Sequence, residues 1–120
     1  MAPNFEGWRK IVEQTVRGIA DADLQKRAWF GSGPEVSSPD EMINQFFGDA
    51  AMEDFLDYPG VNLSPIQLTL GRHLLELMVR LSNGTPNSVD PTTFFDDPRW
   101  AEIRKAAQAF SSSLTTKIDP

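Results

Sequence analysis

Apolar residues recur three to four positions apart along most of the chain, which is the spacing of amphipathic helices. The first stripe predicts a helix over residues 4–19, extended or restarted by residues 21–28. Its members are Phe5, Trp8, Ile11, Val12, Val16 and Ile19. The segment 29–34 ends this helix because it contains two glycines and a proline, which do not fit inside a helix.

A capping side chain followed by proline marks a helix start at each of four later sites. These pairs are Ser38-Pro39, Ser64-Pro65, Asp90-Pro91 and Asp97-Pro98. Glu41 and Gln67 stand where they would complete a capping box after the first two. The pattern therefore predicts helices that begin at these prolines, with only a short turn after Pro91.

The apolar positions within these segments predict the buried faces. The second helix is expected to stop at Gly48, and Asp49 is expected to cap a third helix that ends before Pro59-Gly60. The stripes of the second and third helices are Met42, Ile43, Phe46 and Phe47, then Met52, Phe55 and Leu56. The long fourth helix, which stops at Asn83-Gly84, carries Ile66, Leu70, Leu74, Leu77, Met78 and Leu81. The last helix carries Trp100, Ile103, Ala107, Phe110 and Leu114.

No segment alternates apolar and polar residues for long enough to predict a strand. The sequence predicts an all-α, single-domain bundle of about five helices with no sheet. The domain is expected to span residues 1–114, with a loose C-terminal tail at 115–120. The residues expected in the core include Trp8, Leu70, Leu74, Trp100 and Phe110.

Composition narrows the function classes. The chain has 120 residues, 40% of them hydrophobic and 23% charged, as in an ordinary single soluble domain. It has no cysteine and one histidine, so disulfides, zinc–thiolate sites and multi-histidine metal sites within one chain are excluded. The net charge of −6 argues against nucleic-acid binding. The absence of a signal-like N-terminus and of a long apolar run predicts a cytoplasmic protein with no membrane association.

His73 is the only obvious acid–base candidate, with Glu76 three residues later. The pair could serve as a base with its carboxylate partner or as half of a metal site. The interpretation we favour is a half-buried imidazole at the edge of a helix–helix contact. Because no nucleophile has an activating base nearby in the sequence, we predict no catalytic residue, no metal, no cofactor and no enzyme activity.

The acidic residues are unevenly placed. Residues 1–60 hold 11 acids and 5 bases, whereas residues 61–120 hold 6 of each. No Lys or Arg occurs between Arg27 and Arg72. Two interpretations stay open: a partner-binding face, or acids that cap helices and face solvent. The candidate binding residues are the acids Asp40, Glu41, Asp49, Glu53, Asp54 and Asp57, with the aromatics Trp29, Phe30 and Tyr58, which could instead be core plugs.

One central block has a counterpart in a known family. Its segments are Trp29-Phe30-Gly31, Ser38-Pro39-Asp40-Glu41-Met42, Phe46-Phe47-Gly48-Asp49 and Glu53-Asp54-Phe55-Leu56. The block resembles small acidic helical immunity proteins of bacterial contact-dependent growth inhibition systems. The resemblance implies a cytoplasmic antitoxin that binds a toxin domain, often a nuclease, and has no chemistry of its own.

An acidic domain without catalytic groups suits a basic nuclease cleft, because opposite charges speed the encounter. The sequence therefore predicts a protein partner, a basic toxin domain, bound through the acidic face. The alternative is a helical protein–protein interaction module or regulator outside the immunity class. An enzyme that uses His73 is a third, weaker possibility, and the oligomeric state stays open.

Overall fold

The computed structural model describes residues 5–30, 39–58, 61, 63–84 and 91–115, and the regular structure in these residues is helical. The all-α prediction is confirmed. The helices are α1 (Phe5–Ala20), α2 (Ala22–Trp29), α3 (Pro39–Asn44), α4 (Met52–Asp57), α5 (Pro65–Gly84), α6 (Pro91–Phe95) and α7 (Pro98–Thr115), and a π-helical turn (Gln45–Asp49) continues α3. The predicted caps Ser38 and Asp90, and residues 116–120 of the predicted tail, lie outside the described residues.

Helix α7 is the centre of the packing, since it lies against both α1 and α5. Its predicted stripe is confirmed: Trp100, Ile103, Ala107, Phe110 and Leu114 are all buried. The largest fully buried hydrophobic side chains come from five different elements, which shows that one core serves the described helices. They include Ile19, Phe46, Phe55, Met52, Leu74, Trp100 and Phe110.

Trp8, Leu70 and Ile66 are less buried than the sequence predicts. Trp8 and Leu70 are only half-buried, at the edge of the core. Ile66 is 69% exposed, so the buried line of α5 begins later than predicted. The reason is rotation along the helix: Ile66 lies eight residues before the buried Leu74, about 80° away around the axis.

The predicted capping box of α5 is confirmed. Ser64 Oγ accepts a hydrogen bond from the Gln67 backbone N–H at 3.1 Å, and Gln67 Oε1 accepts one from the Ser64 N–H at 2.9 Å. Gln67 Nε2 also donates to the Ser113 carbonyl at 3.0 Å. The start of α5 is thereby fixed to the last turn of α7, on which α5 packs.

The predicted boundary at Gly48 and Asp49 is wrong. The helix continues through both residues as the π-helical turn, which closes with the Ala50 N–H donating to the Gln45 carbonyl at 2.8 Å. Ala51, with a left-handed φ of 44°, takes the N-cap position of α4 without a side-chain cap. The Ala50 carbonyl accepts a hydrogen bond from Trp8 Nε1 at 2.7 Å, so a tertiary contact holds the turn that precedes α4 against α1.

A buried amide fixes the end of α1 to α2 and α7. Gln25 is fully buried, and its Nε2 donates to the Gly18 and Ile19 carbonyls at 2.9 and 2.7 Å. Its Oε1 accepts from Trp100 Nε1 at 3.0 Å and from Arg104 at 3.4 Å. Because both amide hydrogens and the oxygen are used, the burial of this polar group is compensated.

Gly71 marks the closest approach of α4, α5 and α7. A Cβ at this position would lie 2.6 Å from Leu56 Cδ2 and 3.1 Å from Phe110 Cε1. Leu56 and Phe110 are themselves buried, so neither can move aside freely. The glycine is therefore a packing requirement at the crossing of three helices.

We expect Gly71→Ala to lower the free energy of unfolding. Overpacking costs about 1–3 kcal/mol, more than the gain of up to about 1 kcal/mol from better helix propensity. Adding Leu56→Ala removes the nearest clash, so the Gly71 substitution should cost less in that background. Urea denaturation of the two single variants, the double variant and the wild type measures this coupling.

Gly18→Ala is the matched control, because a Cβ there meets only Leu24 Cδ2 at an ordinary 3.7 Å. This helical glycine should gain stability, by up to about 1 kcal/mol, from the same change. Equal stabilisation by Gly18→Ala and Gly71→Ala would contradict the packing argument.

The cap of α7 predicts a pH effect on stability. Asp97 Oδ1 accepts from the Arg99 backbone N–H at 2.9 Å, and Oδ2 accepts from the Arg99 guanidinium at 2.7 Å. The side-chain hydrogen bond from Arg99 lowers the pKa of Asp97 below its ordinary 3.8. The stabilisation from this charge is present above the unfolded pKa and is lost as pH falls through the lower folded pKa.

Asp97→Asn keeps a capping oxygen but removes the charge, so its stability deficit at pH 6 should shrink towards zero in strong acid. A deficit that stays constant with pH would contradict this.

Candidate protein-binding surface

Within the described residues, the acids of the interval between Arg27 and Arg72 lie on three consecutive elements, α3, the π-helical turn and α4, and the turn packs on both helices. The described side chains are all exposed, and we call them the acidic surface: Glu41, Asp49, Glu53, Asp54 and Asp57. The side chain of Asp40, which was also predicted to bind, lies outside the described part. The predicted exposure of the other five is confirmed.

Helix α4 orients the centre of this surface. Met52, Phe55 and Leu56 are buried, while Glu53, Asp54 and Asp57 are exposed, as their positions in the sequence predict. Glu53 and Asp54 stand in the first turn, where a negative charge is favourable to the helix. Neither carboxylate forms an ion pair with a described residue, so both charges remain available to a partner.

Although no Lys or Arg occurs in this interval of the sequence, the folded chain brings an arginine into contact with one of its acids. Arg72 of α5 donates to Asp57 Oδ1 at 2.9 Å, and both side chains are more than half exposed. The packing of α4 on α5 brings this cation to the acidic surface. Sequence distance alone could not show the pairing, which partly neutralises one end of the surface.

Tyr58 supplies an exposed aromatic ring beside these acids. It directly follows Asp57 and is 42% exposed. Its ring meets the half-buried Trp8 at a centroid distance of 5.9 Å, and Trp8 in turn meets the buried Phe55 at 5.4 Å. Tyr58 is therefore held against the core by Trp8, which the sequence interpretation had not included among the binding candidates.

Trp29 does not belong to this surface. Only 8% of it is exposed, and its ring contacts Phe94, Phe95 and Trp100 at centroid distances of 5.8–6.2 Å. It is a core plug, so its inclusion among exposed binding residues is corrected. Phe30 is 45% exposed but packs on Phe95 of α6, away from the elements that carry the acids.

A shallow groove adjoins the acidic surface where α1 passes the π-helical turn. Its lining residues are Ile11, Gln14, Thr15, Gln45 and Asp49. Ile11 was predicted to lie in the core stripe of α1 but is 42% exposed, because the adjacent Val12 takes the buried position. The π-helical turn, which places Asp49 at this groove, has no signal in the sequence that we recognised.

His73 does not form an acid–base pair. Its side chain is exposed on α5, which also corrects the favoured half-buried position. The Glu76 carboxylate is bonded to Arg80 instead. Among the described residues, no cluster of three histidine, aspartate or glutamate side chains has the arrangement to hold a metal ion. No helix in the described part combines the length and apolar character that a bilayer crossing requires.

No protein-family model, curated protein or solved structure matches the chain significantly.

The acidic surface should tolerate substitution without loss of the fold. Arg72→Gln removes the ion pair with Asp57, and exposed pairs of this kind contribute about 0–1 kcal/mol. We expect the free energy of unfolding, measured in urea, to change by no more than that. A loss well above this range would show that the pair fixes α4 against α5 and is part of the fold.

Proposed function

We propose that this protein is an immunity protein that binds and neutralises a basic bacterial toxin domain, of which a nuclease is the leading candidate, through the acidic surface. The observation that carries the proposal is the exposure of Glu53 and Asp54 without an ion-pair partner among the described residues. They stand on a helix whose other side is buried in the core, so the charges are displayed from a fixed position.

Charge supplies the attraction. The chain has 17 acids and 11 bases, and the excess is concentrated in its first half. A nuclease cleft must attract phosphate, so a basic cleft and this acidic surface are complementary. Such complementarity raises the association rate, and the effect weakens as salt shortens the Debye length below about 10 Å.

Tyr58 supplies an aromatic contact in addition to the attraction between opposite charges. Exposed aromatic side chains with a fixed position are frequent energetic centres of interfaces. Tyr58 is supported by Trp8 and directly follows Asp57 in the chain. The proposal therefore has an aromatic anchor with carboxylates beside it, and it requires no catalytic group, metal or cofactor. Neutralisation would take place in the cytoplasm.

The test is charge reversal in a toxicity assay. The variant Glu53→Lys, Asp54→Lys, Asp57→Lys should fail to restore growth when it is co-expressed with a candidate toxin that the wild type neutralises. Its association rate with the purified toxin should fall by at least about tenfold at low salt, since attraction becomes repulsion. Surface plasmon resonance at several salt concentrations measures this rate.

The matched control reverses three exposed acids elsewhere: Asp23, Asp96 and Glu102. It raises the net charge by the same amount. Asp23, like Glu53 and Asp54, stands in the first turn of a helix, so one of the two helix-end penalties is matched. This control should retain rescue. Arg72→Gln should increase the association rate, because it removes a cation from the acidic surface.

Equal loss of rescue in the two triple variants would mean that net charge, and not the acidic surface, governs binding. Tight binding that ignores both salt and charge reversal would place the partner on an apolar surface, such as the one around the exposed Ile66 of α5. That result would favour the alternative, a helical interaction module outside the immunity class.

A further inference from the structure

A second surface, of opposite sign, lies where α2 ends against α6 and α7. Two cations face the half-buried ring of Phe95: the Lys26 ammonium at 5.6 Å and the Arg104 guanidinium carbon at 4.7 Å from its centroid. Phe30, 45% exposed, meets the same ring at 5.9 Å. We call Lys26, Phe30, Phe95 and Arg104 the cation–aromatic patch.

Arg104 carries a charge that the described residues do not neutralise. Four other arginines pair with a carboxylate, in the pairs Arg9–Glu13, Arg72–Asp57, Arg80–Glu76 and Arg99–Asp97. Arg104 is half-buried, yet its hydrogen bond goes to the neutral Gln25 Oε1 at 3.4 Å. A partly desolvated guanidinium without a counter-ion is unfavourable, and a carboxylate from outside would relieve that cost.

The acids nearest in sequence do not supply that carboxylate. Asp23 precedes Lys26 by three residues, Asp96 follows Phe95 and Glu102 precedes Arg104 by two residues. All three are exposed, and none pairs with Lys26 or Arg104. The patch therefore combines two cations without described ion pairs and an exposed aromatic ring on one small area. Cations beside exposed aromatic side chains suit a ligand that is both acidic and apolar.

We propose that the cation–aromatic patch binds an acidic segment of a partner protein, with a carboxylate side chain paired to Lys26 and Arg104 and an adjacent apolar side chain covering Phe30. Charge complementarity selects this occupant. In a chain with 17 acids and 11 bases the net charge repels an acidic segment, so its binding requires a place where cations lack counter-ions, as Lys26 and Arg104 do among the described residues. This interaction is separate from toxin binding, because the acidic surface lies on α3, the π-helical turn and α4.

The NMR signals of the three indole N–H groups can show whether a ligand binds at the cation–aromatic patch. Trp29 and Trp100 are neighbours of the patch, since Trp29 meets Phe95 at 6.2 Å and Trp100 shares Gln25 with Arg104. Trp8 donates to Ala50 beside the acidic surface and serves as an internal control. In ¹⁵N-labelled full-length protein, the three indole signals therefore report separately on the two surfaces.

The probe is a short blocked peptide of alternating aspartate and leucine. We expect saturable shifts of the Trp29 and Trp100 indole signals, with the Trp8 signal unchanged. The same peptide with asparagine in place of aspartate should bind about tenfold more weakly, because the charge-assisted bonds are lost. No saturable shift up to millimolar peptide, or equal binding of the asparagine peptide, would overturn the proposal.

Single substitutions show which side chains of the patch contact the peptide. Lys26→Gln and Phe30→Ala change exposed side chains, so each should weaken binding about tenfold while the fold is kept. Lys10→Gln removes an exposed cation on α1 and is the matched control, which should bind as the wild type does. Equal weakening by Lys10→Gln and Lys26→Gln would mean that only net charge matters, and would overturn the assignment.

The remaining occupant to test is a second copy of this chain, through its own acidic surface. Analytical ultracentrifugation of the protein alone decides this. A monomer supports a separate acidic partner. Self-association that both Lys26→Gln and the Glu53, Asp54 and Asp57 reversal abolish would identify the second copy as the occupant and overturn the proposal. Either result leaves the toxin-rescue assay independent.

Discussion

The buried amide of Gln25 is the interaction on which the arrangement of the helices depends. It joins the last carbonyls of α1 to the first turn of α7 while it stands on α2. The Gly18 carbonyl also accepts from the Asp21 N–H at 3.3 Å, whereas the Ile19 carbonyl, at the end of α1, takes its hydrogen bond from the amide. The Ala20 carbonyl is bonded in the same way by Gln108 of α7. Because α7 is fixed to α1 at this end and also packs on α5, the amide helps to set how α1, α5 and α7 meet.

Much of the fold could be predicted from the sequence because its signals are local. The Ser64 capping box and the stripe from Trp100 to Leu114 each depend on residues within one helix, and both are confirmed. The start of α4 could not be predicted, since Ala51 has no capping side chain and the carbonyl of the preceding Ala50 is bonded by Trp8 from another helix. Gln25 gave no signal either, because a lone glutamine in a helix is ordinarily exposed.

The candidate binding surface also has features that one helix predicts and features that only the packing of several helices shows. The exposure of Glu53, Asp54 and Asp57 follows from the periodicity of α4, so the sequence sufficed for it. The pairing of Asp57 with Arg72 and the support of Tyr58 by Trp8 join residues distant in the chain, and only the packed structure shows them. Trp29 was misplaced for a related reason: its position before two glycines suits an exposed loop, but Phe94 and Trp100 enclose it.

The two surfaces of opposite sign share one physical origin. Glu53 and Asp54 stand in the first turn of α4, and Lys26 stands in the last turn of α2, the positions where each sign of charge stabilises a helix end. A role in helix stability therefore does not compete with a role in binding. What separates a binding charge from a structural one is whether the fold also supplies its counter-ion. Arg99 and Asp97 satisfy each other, whereas Glu53, Asp54 and Lys26 have no described ion-pair partner. Glu53, Asp54 and Lys26 lie at exposed helix ends, where a partner can reach them without disturbing the core.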